Sequence, residues 1–233
     1  MIVEIQPLNE VAMTAARERQ AQLVKPPGSL GRLEELAIWL AGVTGHQRPQ
    51  VRARIVVAAA DHGVASEGVS AFPPEVTGQM LATFLSGGGA VSTLAREVGA
   101  ELICVDAGVN ASTTHLDVVH TGLKPSANLA VEPALTKEDV RHAIKVGTKI
   151  AATAKNDGLT ILAGGEMGIG NTTPATALAC WLTGGDPAAL AGPGTGLTPE
   201  GVAHKAEVVA RALARHEAAT RGAAADEAGA GSR

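Results

Sequence analysis

Aromatic residues are nearly missing from this 233-residue sequence: tyrosine is absent, and Trp39, Phe72, Phe84 and Trp181 are the whole complement. Stacking the bases of a single-stranded nucleic acid takes several such rings. Excess positive charge is missing too. The 19 Lys+Arg against 23 Asp+Glu give a formal charge of −4, without the basic stripe that marks a nucleic-acid surface, so no nucleic-acid partner is expected. Long apolar runs are lacking as well. The longest, Ile55 to Ala60, falls far short of the ~20 residues that span a membrane, and MIVEIQPLNE has neither the basic nor the apolar region of a secretory leader. The reading is a soluble, cytoplasmic protein with no membrane partner. Cysteine is scarce, and Cys104 and Cys180, each in an apolar run, read as buried thiols of a reducing compartment.

Short side chains dominate what remains, with 44 alanines and 28 glycines. A chain of this length buries roughly 70–75 % of its unfolded surface and needs no disulfide or metal staple. Short apolar runs alternate with longer amphipathic ones, which predicts an α/β protein: a three-layer α/β/α fold with a mostly parallel, Rossmann-like sheet. Strands are expected at Ile55–Ala60, Leu102–Val105 and Leu159–Ala163. Helical spacing follows Ser29, Pro73-Pro74, the Gly87-Gly88-Gly89 stop, the Thr136-Lys137-Glu138-Asp139 capping box, Thr172 and Thr198-Pro199. The 115–120 stretch, with His115, Asp117 and His120, lacks periodicity and reads as a solvated loop. No linker divides the chain, so a single domain over 1–217 is expected. The stretch 218–233, without branched apolar or aromatic residues, reads as a disordered Ala/Gly-rich tail.

All three expected strands deliver polar residues just past their C-terminal ends, at Asp61-His62, Asp106 and Glu166, where parallel sheets bind ligands. The glycine-rich segment Gly164-Gly165-Glu166-Met167-Gly168-Ile169-Gly170-Asn171-Thr172-Thr173 leads into a helix. It suits a phosphate, because glycine lets backbone N–H groups approach an anion and the helix start favours negative charge. It matches neither G-x-G-x-x-G nor a P-loop, and a merely tight turn is the other reading. A carboxylate beside an anion site, Glu166, points to chemistry. Gly192-Pro193-Gly194-Thr195-Gly196 with Lys205 forms a second such set, again open to a purely structural reading. Asp61-His62-Gly63 with Glu67 and Ser70 reads as a hydrogen-bonded cluster sooner than half a metal site. No metal and no cofactor is expected.

Four stretches, KPPGSLGRLE from Lys25, ADHGVASEGVSAFPPEVTGQM from Ala60, GGEMGIGNTT from Gly164 and GPGTGLTPEGVAHK from Gly192, together resemble the nicotinate-nucleotide–dimethylbenzimidazole phosphoribosyltransferase family of cobalamin assembly. The resemblance runs from about Lys25 to about His216. It implies transfer of phosphoribosyl from nicotinate mononucleotide to 5,6-dimethylbenzimidazole without a metal, by a homodimer. It implies a ribose-phosphate site at Gly165, Gly168, Asn171, Thr172, Gly194 and Lys205, a benzimidazole pocket lined by Ser70, Phe72, Gln79 and Met80, and Glu166 near the reacting centre. Family chains run on past this point into a segment carrying the glutamate general base, so a C-terminally truncated member is the expectation, with a non-catalytic binder or an inactive fragment as alternatives.

Overall fold

The computed structural model describes residues 5–230, with side chains as far as Ala218. The chain forms two compact units, Met1–Ala53 with Gly158–Ile161 and Arg54–Asp157 with Leu162–Arg233. One domain was expected, and the reason for the difference is local: the boundaries fall at the first residues of two strands, where no linker composition marks them.

In the first unit, α1 (Glu10–Gln22) starts on Asn9, whose Oδ1 accepts from the Ala12 amide at 2.9 Å. It packs against α2 (Arg32–Thr44), which ends on left-handed Gly45. The contact is built from Ala12, Ala16 and Ala41 with Ile38, and Gly42 approaches so closely that a Cβ there would meet Met13 Cγ at 2.7 Å. Alanines give little hydrophobic period, so α1 is not legible from spacing. The KPPGSLGRLE stretch is pinned by Lys25, whose Nζ donates to Glu34 Oε1 at 2.6 Å.

The second unit holds most of a four-stranded parallel sheet with helices on both sides, as the α/β pattern predicts. Its strands are β1 (Ala53–Ala59), β2 (Glu101–Asp106), β3 (Val119–His120) and β4 (Ile161–Met167), in the order β3-β2-β1-β4. β1 pairs with β2 from Arg54↔Glu101 to Ala59↔Asp106, and β2 with β3 at Val105↔Val119 and Asp106↔His120. β3 replaces the expected solvated loop: two residues are too few to show a period of two, and the Asp106 cluster described below draws His120 to the β2 edge. Because the order turns from β1 back to β4, the two strands diverge at their C-terminal ends, the switch point where open sheets bind ligands.

Between β1 and β2 run α3 (Val76–Leu85) and α4 (Ala90–Glu97), broken at the expected glycines. Leu81, Ala59 and Cys104 are buried together, joined by Phe84 and Leu85. Helix α5 (Lys137–Asn156) begins with the expected capping box, Thr136 and Asp139 each receiving the other's backbone N–H. Its expected apolar face is not covered, with Val140 and Ile144 exposed and Ala154 buried. After β4 come α6 (Thr172–Thr183), the short α7 (Pro187–Leu190) and α8 (Pro199–Ala230). The α8 backbone stays helical through Ala230 where a disordered tail from residue 218 was expected, because alanine is the strongest helix former; residues 231–233 lie outside the described part. The largest core cluster joins Val64 and Val69 to Ala177, Cys180, Val208, Val209 and Ala212, so α6 and α8 are seated on the segment that follows β1. Cys104 and Cys180 are buried free thiols. No described helix is long and apolar enough to cross a membrane.

Candidate functional site

Along α8 the buried face reads Lys205, Val208, Val209, Ala212, an i, i+3, i+4, i+7 stripe. The lysine thus occupies a core position and is only 1 % exposed. Its Nζ donates to Thr172 Oγ1 at 2.9 Å and to the Gly192 carbonyl at 3.0 Å. No carboxylate forms an ion pair with it among the described residues, and burial holds its ammonium below the ordinary lysine range of 10.5. A buried charge without a counter-charge costs several kcal/mol, which an anion bound at Nζ would offset.

Nζ faces a cavity of about 250 Å³ whose wall includes Ser70, Glu166, Gly168, Asn171, Thr172 and Gly194. It lies at the switch point. The Ala60 amide donates to Met167 O at 3.0 Å, joining the ends of β1 and β4. The turn is closed by the Asn171 amide on Gly168 O and the Thr173 amide on Gly170 O, both at 3.0 Å. Helix α6 then starts at Thr172, bringing its positive end to the cavity. Thr77, wholly buried on α3, accepts from the Ile169 amide at 3.1 Å and fixes the turn from behind.

Two glycines are obligatory here. A Cβ on Gly168 would sit 2.3 Å from the Ala60 carbonyl oxygen and 3.0 Å from the His62 ring. Gly194 has φ +54° and would press a Cβ to 3.0 Å from Lys205 Nζ. Gly165 differs. β4 runs on through Gly164, Gly165 and Glu166 instead of stopping at Ala163, because glycine permits extended backbone, and Gly165 faces Val57 on the sheet. It therefore does not line the cavity.

Glu166 stands at the rim, its carboxylate accepting from the Asn171 side-chain amide. Ser70 reaches the same cavity. Its Oγ bonds Thr195 Oγ1 at 2.9 Å, and the Ala71 amide donates to that same Thr195 oxygen at 3.2 Å, so the 70–71 loop and the second glycine-rich loop are latched. Phe72, Gln79 and Met80 are not in this wall: Phe72 is half-exposed, Gln79 is exposed on α3, and Met80 is partly buried. Thr195, Val69, Met167, Ile169 and Gly170 line the cavity and were missed. Thr195 and Ser70 are 125 positions apart, and nothing local signals their contact.

The other strand-end groups form closed clusters. One Asp61 oxygen accepts from the Asn110 amide at 2.8 Å, and His62 Nδ1 meets Ser126 Oγ at 3.1 Å. Burial alone raises the Asp106 carboxyl, but the Thr113 hydroxyl, the Val109 and Gly108 amides and His120 together hold it below its usual range. Glu67 accepts from Asn128 at 2.6 Å and from Arg211 at 2.5 Å, and His204 Nε2 donates to its carbonyl at 2.7 Å, which ties α8 to the 3-10 turn Gly63–Glu67. No group of three or more His, Cys, Asp or Glu poised for a metal occurs among the described residues. A wider cleft of about 470 Å³ runs along α3, α4 and the β2 edge; its charged residues, Arg96 and Asp117, are exposed.

A family model described as phosphoribosyltransferase matches residues 5–230. A protein of Ectopseudomonas mendocina named nicotinate-nucleotide–dimethylbenzimidazole phosphoribosyltransferase is 52 % identical over 217 residues, which are 91 % of this chain and 62 % of that protein. A Deinococcus radiodurans protein of the same name is 50 % identical over 228 residues, 92 % of this chain and 61 % of its own length. The crystal structure of CobT from Thermus thermophilus superposes with a TM-score of 0.78 at 45 % identity, over 88 % of this chain and 62 % of that one. The chain thus spans about three fifths of the length of the curated relatives it matches.

Proposed function

The chain belongs to the nicotinate-nucleotide–dimethylbenzimidazole phosphoribosyltransferase family, and from that premise we propose that it is a pentosyltransferase moving phosphoribosyl from nicotinate mononucleotide to 5,6-dimethylbenzimidazole. Nicotinate leaves the anomeric carbon with the bonding pair, a benzimidazole nitrogen bonds there, and its N–H proton passes to solvent; the product is α-ribazole 5′-phosphate. One observation carries the reading: a buried lysine without a counter-charge, facing a cavity walled by two glycine-rich turns and a helix start.

In this proposal the 5′-phosphate lies against Gly168, Asn171, Thr172, Gly194 and Lys205. Glu166, at the rim and oriented by Asn171, faces the sugar, where its charge stabilises the positive character that develops as nicotinate departs. Ser70 stands on the acceptor side, with Phe72, Gln79 and Met80 following it in the chain as the surface for the flat base. The reaction needs no metal or organic cofactor, and the functional form is a cytoplasmic homodimer.

The test incubates the protein with both substrates and follows α-ribazole phosphate by chromatography. Product that falls about 10²-fold in Glu166→Gln, with nicotinate mononucleotide affinity unchanged, supports the reading. Binding of both substrates with no product leaves a binding protein instead.

A further inference from the structure

His62 sits at the switch point itself, one strand-end from the anion site, yet the proposed reaction does not use it. Its placement is tightly specified. Its backbone forms a parallel bridge with Ser126, and the Gly63 amide donates to Ser126 O at 2.8 Å. Its Nδ1 meets Ser126 Oγ at 3.1 Å. On the far side of the ring, Nε2 and Cδ2 lie against Gly168, 3.0 Å from where a Cβ would stand. The imidazole therefore forms the floor under the first residue of the turn that walls the cavity.

We propose that His62 is the proton-linked element of this site: an anion seated on the Gly168–Thr172 turn draws a proton onto the imidazole beneath it, so that anion binding is accompanied by proton uptake. The inference rests on the anion-site reading of the Lys205 cavity and adds to it. The geometry allows the step without rearrangement. A serine hydroxyl both donates and accepts, so Ser126 accepts from Nδ1–H when Nε2 takes the proton, and the ring keeps its anchor in both states. The charged groups acting on the ring are Glu166 from β4 and Asp61 beside it, both favouring the protonated form; burial opposes them more strongly and keeps the ring below its ordinary 6.5 in the free protein. Lys205 lines the same cavity from α8. A bound anion adds negative charge on the Gly168 side and tips this balance toward imidazolium.

Sulfate serves as the probe, because it stays a dianion across the range in which histidine titrates. Its affinity, measured by calorimetry, should be at least about threefold tighter at about pH 5.5 than at about pH 7.5 in the native protein, the sign required when the complex binds more protons. In His62→Gln the ratio should fall to one, and in Glu166→Gln it should persist. In the native protein, the proton signal of the His62 ring, assigned through its contact with Gly168, should titrate at higher pH with sulfate than without; this measurement decides the matter even where His62→Gln folds poorly. A pH-dependent affinity retained in His62→Gln, or a His62 titration that sulfate leaves in place, overturns the proposal while leaving the anion site standing. Absence of sulfate binding at both pH values removes the anion site and this inference together, and turnover with nicotinate mononucleotide then tests the transferase reading separately.

Discussion

Arg54 and Lys205 are both basic side chains taken out of solvent, at 9 % and 1 % exposure, and they sit at opposite ends of the sheet. Arg54, at the start of β1, meets Glu101 at 2.6 Å and Asp157 at 2.8 Å, and its guanidinium is held above its usual range by those two carboxylates. Lys205, beyond the C-terminal strand ends, has only a hydroxyl and a carbonyl. One cation is neutralised within the fold and clamps β1, β2 and the end of α5. The other is left with its charge uncompensated over a cavity, an arrangement that costs stability unless a ligand supplies the missing anion.

The sharpest way to break that contrast is to replace both with methionine. Lys205→Met should weaken nicotinate mononucleotide binding at least about 100-fold, the scale of one or two charge-assisted hydrogen bonds at ~1.5–3 kcal/mol each, while raising the melting temperature of the free protein. Arg54→Met should do the reverse, lowering the melting temperature by about 3 °C or more with affinity intact. Calorimetry and thermal melts on the two variants check both arms; a Lys205→Met protein that melts lower and binds as before would erase the distinction.

The glycines of β4 and its turn sharpen it next. Gly168→Ala should cost about 1–3 kcal/mol by overpacking, since its Cβ would meet the Ala60 carbonyl at 2.3 Å, and anion binding should go with it. Gly164→Ala has open space around its Cβ and should change denaturant stability by no more than about 0.5 kcal/mol.

Titration gives the smaller effects. Lys205 has its folded-state value below the ordinary 10.5, so above that folded value the unfolded chain binds more protons and stability rises with pH until about 10.5, where the gain is complete. The native protein should therefore gain stability relative to Lys205→Met over that alkaline window. His62 runs the same way at lower pH. Its folded value lies below 6.5, so stability contributed by the neutral ring is present above 6.5 and is lost as pH falls toward the folded value. Denaturant midpoints against pH, native minus His62→Gln, measure it.

Much of this arrangement was legible in the sequence, and the failures have physical causes. The alternation of apolar runs located three strands, and the residues after their ends located the crevice, because both signals are local. The α6 start, the Thr136–Asp139 box and the Gly87–Gly89 stop were legible for the same reason. The sequence also singled out Gly168, Asn171, Thr172, Gly194, Lys205 and Glu166, and the fold brings them to one cavity. That Lys205 is buried was readable as well, since it falls on the Val208, Val209, Ala212 stripe. Helix α1 escaped because alanines carry its packing, β3 because two residues show no period, and the Ser70–Thr195 latch because a contact across 125 positions leaves no local trace. The α5 face of Val140 and Ile144 shows the opposite error, an amphipathic pattern with nothing described against it.

The most direct measurement is a crystal structure of the protein with nicotinate mononucleotide. The account predicts the 5′-phosphate in the cavity between the Gly168–Thr172 and Gly192–Gly196 turns, with an oxygen about 3 Å from Lys205 Nζ. A phosphate bound elsewhere, for instance in the cleft along α3 and α4, with Lys205 still bonded only to Thr172 and Gly192, would contradict it.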